Sequence, residues 1–149
     1  MTTRADIVAE ARTWLGTPFH HQARLKGVGV DCAGLVIGVA RALDLVSPDF
    51  DVTAYQRSPD GRALLEHCNQ HMIRTTREAM KPGDVIVIRW RQHPQHLGIL
   101  GDYLHGGLSL IHAFSDANGR GKVIEQRLDL SDMMAGGRFV AAFRLPGVV

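Results

Sequence analysis

The chain has 149 residues, 45% of them hydrophobic and 21% charged, a composition typical of an ordinary soluble globular protein. Its length predicts a single domain over residues 1–149, with enough chain to bury a sizeable core. The formal net charge of +2 and the few, scattered aromatic residues argue against a nucleic-acid-binding protein.

The apolar runs, the N-terminal residues and the cysteines indicate the compartment in which the chain is made. No apolar run reaches the length of a membrane span, and the N-terminal residues lack the apolar core of a signal peptide. The two cysteines, Cys32 and Cys68, form neither a CxxC motif nor a disulfide framework. These features predict synthesis in the reducing cytoplasm and no membrane-spanning segment.

The first half of the chain reads as helical. Three helices with apolar faces are predicted: from Thr2 or Thr3 to about Leu15, from about Cys32 to Leu43, and from Arg62 to Met72. The segment Phe19–Val30 between the first two is predicted as a basic, glycine-containing loop with two histidines.

The second half reads as strands. The turn signal Lys81-Pro82-Gly83-Asp84 marks the change from helical to alternating periodicity. Five short strands are predicted after it: Val85–Trp90, His96–Leu100, Leu108–Phe114, Lys122–Leu128 and Arg138–Leu145. Helices followed by strands predict an α+β fold, with an antiparallel sheet packed against the helix that begins at Cys32.

Cys32 has the position of a candidate nucleophile. Asp31 is a favourable N-cap, so Cys32 falls in the first turn of its helix, where unpaired N–H groups and the helix dipole favour a thiolate. We therefore expect its pKa to lie below the usual value of about 8.5. Gly34 is expected to keep the next turn bare for an approaching substrate. The alternative is a buried cysteine that acts as a small hydrophobic residue.

Two histidines on predicted strands are candidates for the groups that activate the thiol. A nucleophile of this kind needs a base, and the base needs a third group that orients it. His96 shares a strand face with Gly98, which we expect to leave that face open. A hairpin around Tyr103–Gly107 would bring His96 and His112 together, so that His112 fixes the tautomer of His96. Either histidine alone is more often structural or simply exposed.

Other histidine pairs and the second cysteine are poor candidates. His20 and His21, His67 and His71, and His93 and His96 are not accompanied by an HExxH or paired-cysteine motif, so no zinc site is predicted. Cys68 falls inside a predicted helix with no base assigned to it, and we interpret it as structural.

Five short motifs, in this order and spacing, resemble those of the NlpC/P60 cysteine peptidases: Gly16-Thr17-Pro18-Phe19, Asp31-Cys32-Ala33-Gly34-Leu35, Lys81-Pro82-Gly83-Asp84, His96-Leu97-Gly98-Ile99 and Ile111-His112-Ala113. The resemblance runs from about Ala9 to Phe143. The basic loop before the cysteine is similar to that of the branch found with tail proteins of phages and gene transfer agents.

The resemblance implies a papain-like α+β fold with a catalytic triad. Cys32 is then the nucleophile, His96 the general base and His112 the orienting third member, with the backbone N–H of Cys32 in the oxyanion hole. No metal or cofactor is implied. The positions assigned to substrate contacts are Phe19, His20, Asp31 and Ala33. Phe19 stands where the family commonly has a tyrosine, whose hydroxyl is lost here; His20, His21 and Gln22 are candidates to replace it.

The function expected from the resemblance is hydrolysis of peptidoglycan stem peptides, often between D-glutamate and the diamino acid. The expected partners are the stem peptide and the proteins of a phage-like tail, which would deliver the enzyme to the cell wall or periplasm. Two alternatives stay open. An amidase or acyltransferase uses the same triad and thioester, and a structural tail-assembly module retains the triad without activity.

Overall fold

The computed structural model describes residues 1–55, 62–90, 93–129 and 138–149, with the backbone alone at 90 and 93–95. The three helices are α1 (Arg4–Arg12), α2 (Cys32–Ala42) and α3 (Ala63–His71). The strands are β1 (Arg24–Leu25), β2 (Gly29–Val30), β3 (Ile73–Thr75), β4 (Val85–Trp90), β5 (His93–Asp102), β6 (Leu108–Ala113), β7 (Val123–Arg127) and β8 (Phe139–Arg144).

The predicted α+β class is confirmed, with one more strand in the main sheet than expected. Its six strands are all antiparallel and follow the order β3-β8-β4-β5-β6-β7. The unpredicted strand is β3, an edge strand of three residues, two of them exposed, that is too short to show alternation. The predicted loop Phe19–Val30 also contains structure, since β1 and β2 pair as a small antiparallel ribbon.

The helix boundaries follow local chemistry. Thr3 caps α1 and forms a capping box with Asp6, whose carboxylate accepts from the Thr3 backbone N–H. This helix ends at Arg12, earlier than the predicted Leu15. The following residues turn towards Gly16, whose φ of +86° lies in the left-handed region that favours glycine.

The main core lies between the sheet and the helices. One sheet face packs against α1 and α2 through β-branched and aliphatic residues, while the opposite face carries a smaller apolar cluster. Trp14 packs so closely on α2 that a Cβ at Gly38 would overlap its ring. Within the described residues, no helix combines the length and apolarity needed to cross a membrane.

The predicted turn before the sheet is confirmed. Gly83 has a φ of +90°, and the buried carboxylate of Asp84 accepts from the backbone N–H of Lys81 at 2.8 Å. The same carboxylate pairs with the guanidinium of Arg4 at 2.6 Å. The turn therefore ties the start of α1 to the start of β4.

Candidate active site

Cys32 is the first residue of α2, as predicted. Asp31 caps the helix in an extended conformation, and its carboxylate accepts from the backbone N–H of Gly34 at 2.8 Å. The backbone N–H groups of Leu97 and Ala33 lie near the sulfur of Cys32 and lower the pKa of its thiol. Because Leu97 directly follows His96 in β5, the thiol lies against the strand at the point from which the His96 side chain leaves it.

His96 and His112 meet, as the predicted hairpin requires. The chain turns between β5 and β6 with the N–H of Tyr103 donating to the carbonyl of Gly107 at 3.1 Å. The Nε2 atom of His96 lies 2.8 Å from Nδ1 of His112, and the two rings are nearly perpendicular at 83°. Both side chains are buried. The roles of base and orienting group remain predictions that this geometry permits.

Two glycines act differently from the sequence-based expectation. A Cβ at Gly34 would meet the carbonyl oxygen of Ala23 and the side chains of Val30 and Arg24, so this glycine admits the preceding loop instead of a substrate. A Cβ at Gly98 would meet Leu110 and the Cβ of His112. The face beside His96 is therefore filled by β6, and the expected open space is absent there.

The expected low pKa of Cys32 is wrong. Burial, and to a smaller extent the negative charge of Asp31, raise the pKa of the thiol to about 12. The N–H groups of Leu97 and Ala33 and the guanidinium of Arg24 act in the opposite direction but are weaker. The helix N-terminus is present, but its effect is outweighed because the half-buried thiol is partly desolvated and has a carboxylate beside it. The raised pKa favours a neutral thiol at Cys32 near pH 7.

This protonation state predicts a distinctive alkylation profile. We expect the rate of Cys32 alkylation by iodoacetamide to rise with pH and to keep rising above pH 9, because only the thiolate reacts. The rate is measured by mass spectrometry of the Cys32 peptide, with Cys32→Ala identifying the background from Cys68. A plateau already reached at mildly acidic pH would show a preformed thiolate and contradict this assignment.

The imidazoles are also neutral at rest. Burial, and to a smaller extent the charge that His112 would carry, lower the pKa of His96 to about 3. Burial likewise lowers the pKa of His112, although its hydrogen bond to Gln126 acts in the opposite direction. A neutral imidazole has a lone pair that can accept a proton, as the predicted role of general base requires.

The buried neutral histidines predict a loss of stability in acid. The unfolded chain takes up protons below about pH 6.5 while the folded chain resists them, so unfolding should become easier by up to about 1.4 kcal/mol per pH unit for each histidine. Urea unfolding between pH 7 and pH 4 measures this slope. His96→Gln should reduce it, whereas His105→Gln, at an exposed position, should not. Equal stability at pH 7 and pH 5 would contradict the prediction.

Asp31 is a structural anchor. Besides Gly34, its carboxylate accepts from the guanidinium of Arg24 at 2.9 Å, from the backbone N–H of Gln22 at 2.7 Å and from the hydroxyl of Tyr55 at 2.6 Å. The side chain is 3% exposed. Its oxygens are thus occupied by donors of the chain and shielded from solvent, and its predicted contact with substrate stays a prediction.

The other predicted substrate positions are spread over the surroundings of the thiol. Phe19 is half-buried against the main core, and its N–H donates to the carbonyl of Gly121 at 2.8 Å. His20 is exposed, with Nδ1 lying 3.2 Å from the carbonyl of His21. Ala33 and Leu97 line an apolar pocket between α2 and α3. The roles of Phe19, His20 and Ala33 in substrate binding stay predictions.

The hydrogen-bond network that joins Tyr55 and Arg24 to Asp31 was not predicted from the sequence. The Tyr55 hydroxyl accepts from Arg24 at 2.6 Å while donating to Asp31, and burial is the first cause that raises its pKa. Gln22 also joins the network, since its side-chain amide donates to the carbonyls of Thr53 and Tyr55. The sequence contains one signal for this network: the basic residue Arg24 stands in the loop shortly before the acidic N-cap Asp31, so the two side chains are candidates for an ion pair.

Comparison with known proteins agrees with this architecture. The NlpC/P60 domain of the peptidoglycan hydrolase SagA has 21% sequence identity and a TM-score of 0.59, covering 97% of this chain and 100% of that chain. NlpC2 from Trichomonas vaginalis has 18% identity and a TM-score of 0.62, over 97% of this chain and 47% of that one. An N-acetylmuramoyl-L-alanine amidase from Bacteroides uniformis ATCC 8492 has 15% identity and a TM-score of 0.56, over 95% and 98%.

These structural similarities concern the fold, and the sequence comparison concerns the family. No curated protein matches the chain at a significant level. The sequence model of the NlpC/P60 family matches residues 16–131, a stretch that contains Cys32, His96 and His112. Since this stretch is well over half of the chain, the protein belongs to the NlpC/P60 family.

Proposed function

We propose that this protein is a cysteine peptidase that hydrolyses amide bonds in the stem peptides of bacterial peptidoglycan. The observation that carries the proposal is that the Cys32 thiol lies near the backbone N–H of Leu97, the residue after His96 in β5, and that the ring of His96 is hydrogen-bonded to His112. The family and the fold shared with a domain of a peptidoglycan hydrolase support the choice of substrate.

The proposed reaction uses the neutral resting groups. The sulfur of Cys32 attacks the amide carbonyl as its proton passes to Nδ1 of His96, the ring nitrogen that does not contact His112. The tetrahedral intermediate collapses when the C–N bond breaks and His96 gives the proton to the leaving amine. Water then gives a proton to His96 and attacks the thioester carbonyl. The C–S bond breaks, the carboxylic acid product leaves, and His96 returns the proton to the sulfur of Cys32.

The start of α2 supplies the oxyanion site in this proposal. The first N–H groups of a helix have no acceptor inside the helix. Asp31 accepts from Gly34, whereas the N–H of Cys32 has no hydrogen-bond acceptor in the described part of the chain. This N–H is placed next to the attacking sulfur, where the negative oxygen develops.

The experiment is digestion of purified peptidoglycan of several stem chemistries, followed by mass spectrometry of the soluble products. Cleavage between D-glutamate and the diamino acid leaves the L-alanyl-D-glutamate dipeptide on the sugar. An amidase releases the complete stem peptide instead, an outcome that the fold shared with a muramoyl-alanine amidase makes the second candidate. Absence of any fragment from folded protein on all substrates would contradict wall hydrolysis.

We further propose delivery by a phage-like tail, so that the protein acts in the cell wall or periplasm. The similarity of the basic loop Phe19–Val30 to that of tail-associated members supports this. In the structure the loop forms the β1–β2 ribbon and is tied to α2 through the Arg24–Asp31 pair. Purified particles should contain the protein on immunoblots; its absence from particles and presence only in the host cytoplasm would contradict tail delivery.

A further inference from the structure

Gln126 on β7 contacts the far side of the histidine pair. Across β6 and β7, Gln126 is paired with Leu110 and His112 with Ile124, so Gln126 and His112 are diagonal neighbours on one face of the sheet. The side-chain oxygen Oε1 of Gln126 lies 3.0 Å from Nε2 of His112. A continuous row of hydrogen bonds therefore runs from Gln126 through His112 to His96.

We propose that Gln126 is a positioning residue that sets the tautomers of both histidines and so keeps Nδ1 of His96 able to accept a proton. This inference rests on the proposed function. An amide oxygen only accepts, so His112 carries its proton on Nε2 and has a lone pair on Nδ1. His96 must then donate from Nε2 to that lone pair, which leaves the lone pair of His96 on Nδ1.

The charged intermediate of the reaction selects this orientation of the amide. Once His96 has taken the proton from Cys32, both of its ring nitrogens carry hydrogen. Nε2 then needs an acceptor, and His112 provides one only if its own proton is on Nε2, facing Gln126. With the amide turned round, its NH₂ group would donate to His112, and two N–H groups would face each other across the 2.8 Å contact.

A water molecule in place of Gln126 would not give the same control. Water both donates and accepts, so it is compatible with either tautomer of His112. The amide is attached to β7, and its oxygen is held at a fixed place on the sheet. Gln126 is exposed, so its side chain does not fill the core. Its proposed contribution is the fixed direction of the hydrogen bond that Oε1 accepts from His112.

The test uses two variants and a matched control. Gln126→Leu keeps the length of the side chain without an acceptor, and Gln126→Glu keeps an acceptor without a donor. Arg127→Leu is the control, since Arg127 is the next residue on the same strand and is also exposed. The tautomers are read at pH 7 by long-range ¹H–¹⁵N correlation of histidine-labelled protein, and kcat and KM by release of wall peptide.

In the wild type, both His96 and His112 should be in the Nε2–H form. Gln126→Leu should give His112 a mixture of tautomers and lower kcat about tenfold, with KM little changed, as for other outer hydrogen-bond partners of functional histidines. Gln126→Glu should restore the single tautomer and most of kcat, and Arg127→Leu should change neither. Unchanged tautomers in Gln126→Leu, or Nδ1–H rings in the wild type, would overturn the inference.

The two proposals fail separately. If the wild type releases no wall peptide, the proposed function fails, while the NMR spectra still decide whether Gln126 sets the tautomers. If the wild type is active and Gln126→Leu keeps both its tautomers and its kcat, peptide hydrolysis stands and the role of Gln126 is refuted.

Discussion

Replacement of Asp31 by alanine is expected to lower the free energy of unfolding by about 3 to 5 kcal/mol, the effect of breaking a buried ion pair from one side. The guanidinium of Arg24 is 9% exposed and loses its buried partner. The N-cap of α2 and the hydrogen-bond acceptor of the Tyr55 hydroxyl are lost at the same time. Urea unfolding at pH 7 measures the difference.

Asp51→Ala is the matched control, because Asp51 contacts the same guanidinium at 3.0 Å from a more exposed position. Its removal should cost less than about 1 kcal/mol, as expected of a solvent-screened pair. Equal losses for Asp31→Ala and Asp51→Ala would show that Asp31 is not the anchor. A large loss confined to Asp31→Ala would confirm that the start of α2 is held by this carboxylate.

Replacement of Cys32 by alanine is expected to lower the rate of wall-peptide release by at least about 10,000-fold, as for removal of the nucleophile from other triads. The change removes one sulfur at the start of α2, and alanine is favourable in a helix, so the fold should persist. The rate is measured by chromatography of peptides released from purified peptidoglycan, and the fold by circular dichroism.

Cys68→Ala is the control for loss of a thiol. Cys68 lies in α3, is 3% exposed, and burial raises its pKa to about 12. It belongs to the main core, so its removal affects packing and leaves the proposed chemistry untouched. Wild-type rates in Cys32→Ala, or an equal loss in Cys68→Ala, would remove Cys32 from the role of nucleophile.

The sequence predicts the parts of the site that depend on local pattern. Asp31 followed by an apolar run predicts the start of α2, and alternating strands around Tyr103–Gly107 predict that His96 meets His112. Both conclusions need only the geometry of one helix and one hairpin. The additional edge strand β3 was not predicted, because three residues are too few to show an alternating pattern.

The properties that depend on distant contacts were not predictable. Asp31 and Tyr55 are separated by 24 residues, and Tyr55 follows an irregular segment without periodicity. The pKa of Cys32 depends on how completely the fold removes solvent from the sulfur. The sequence predicted open space for a substrate beside Gly34 and Gly98. In the structure, residues from other parts of the chain pack against both glycines.

In the proposed mechanism, Cys32 forms a thioester with a peptidoglycan peptide. The most direct measurement is rapid acid quenching of the protein with a purified muropeptide, followed by mass spectrometry of the intact protein and its fragments. We expect an added mass equal to the acyl part of the substrate, located on the peptide that contains Cys32. Continued product release from protein whose Cys32 is blocked, with no adduct at Cys32, would contradict the account.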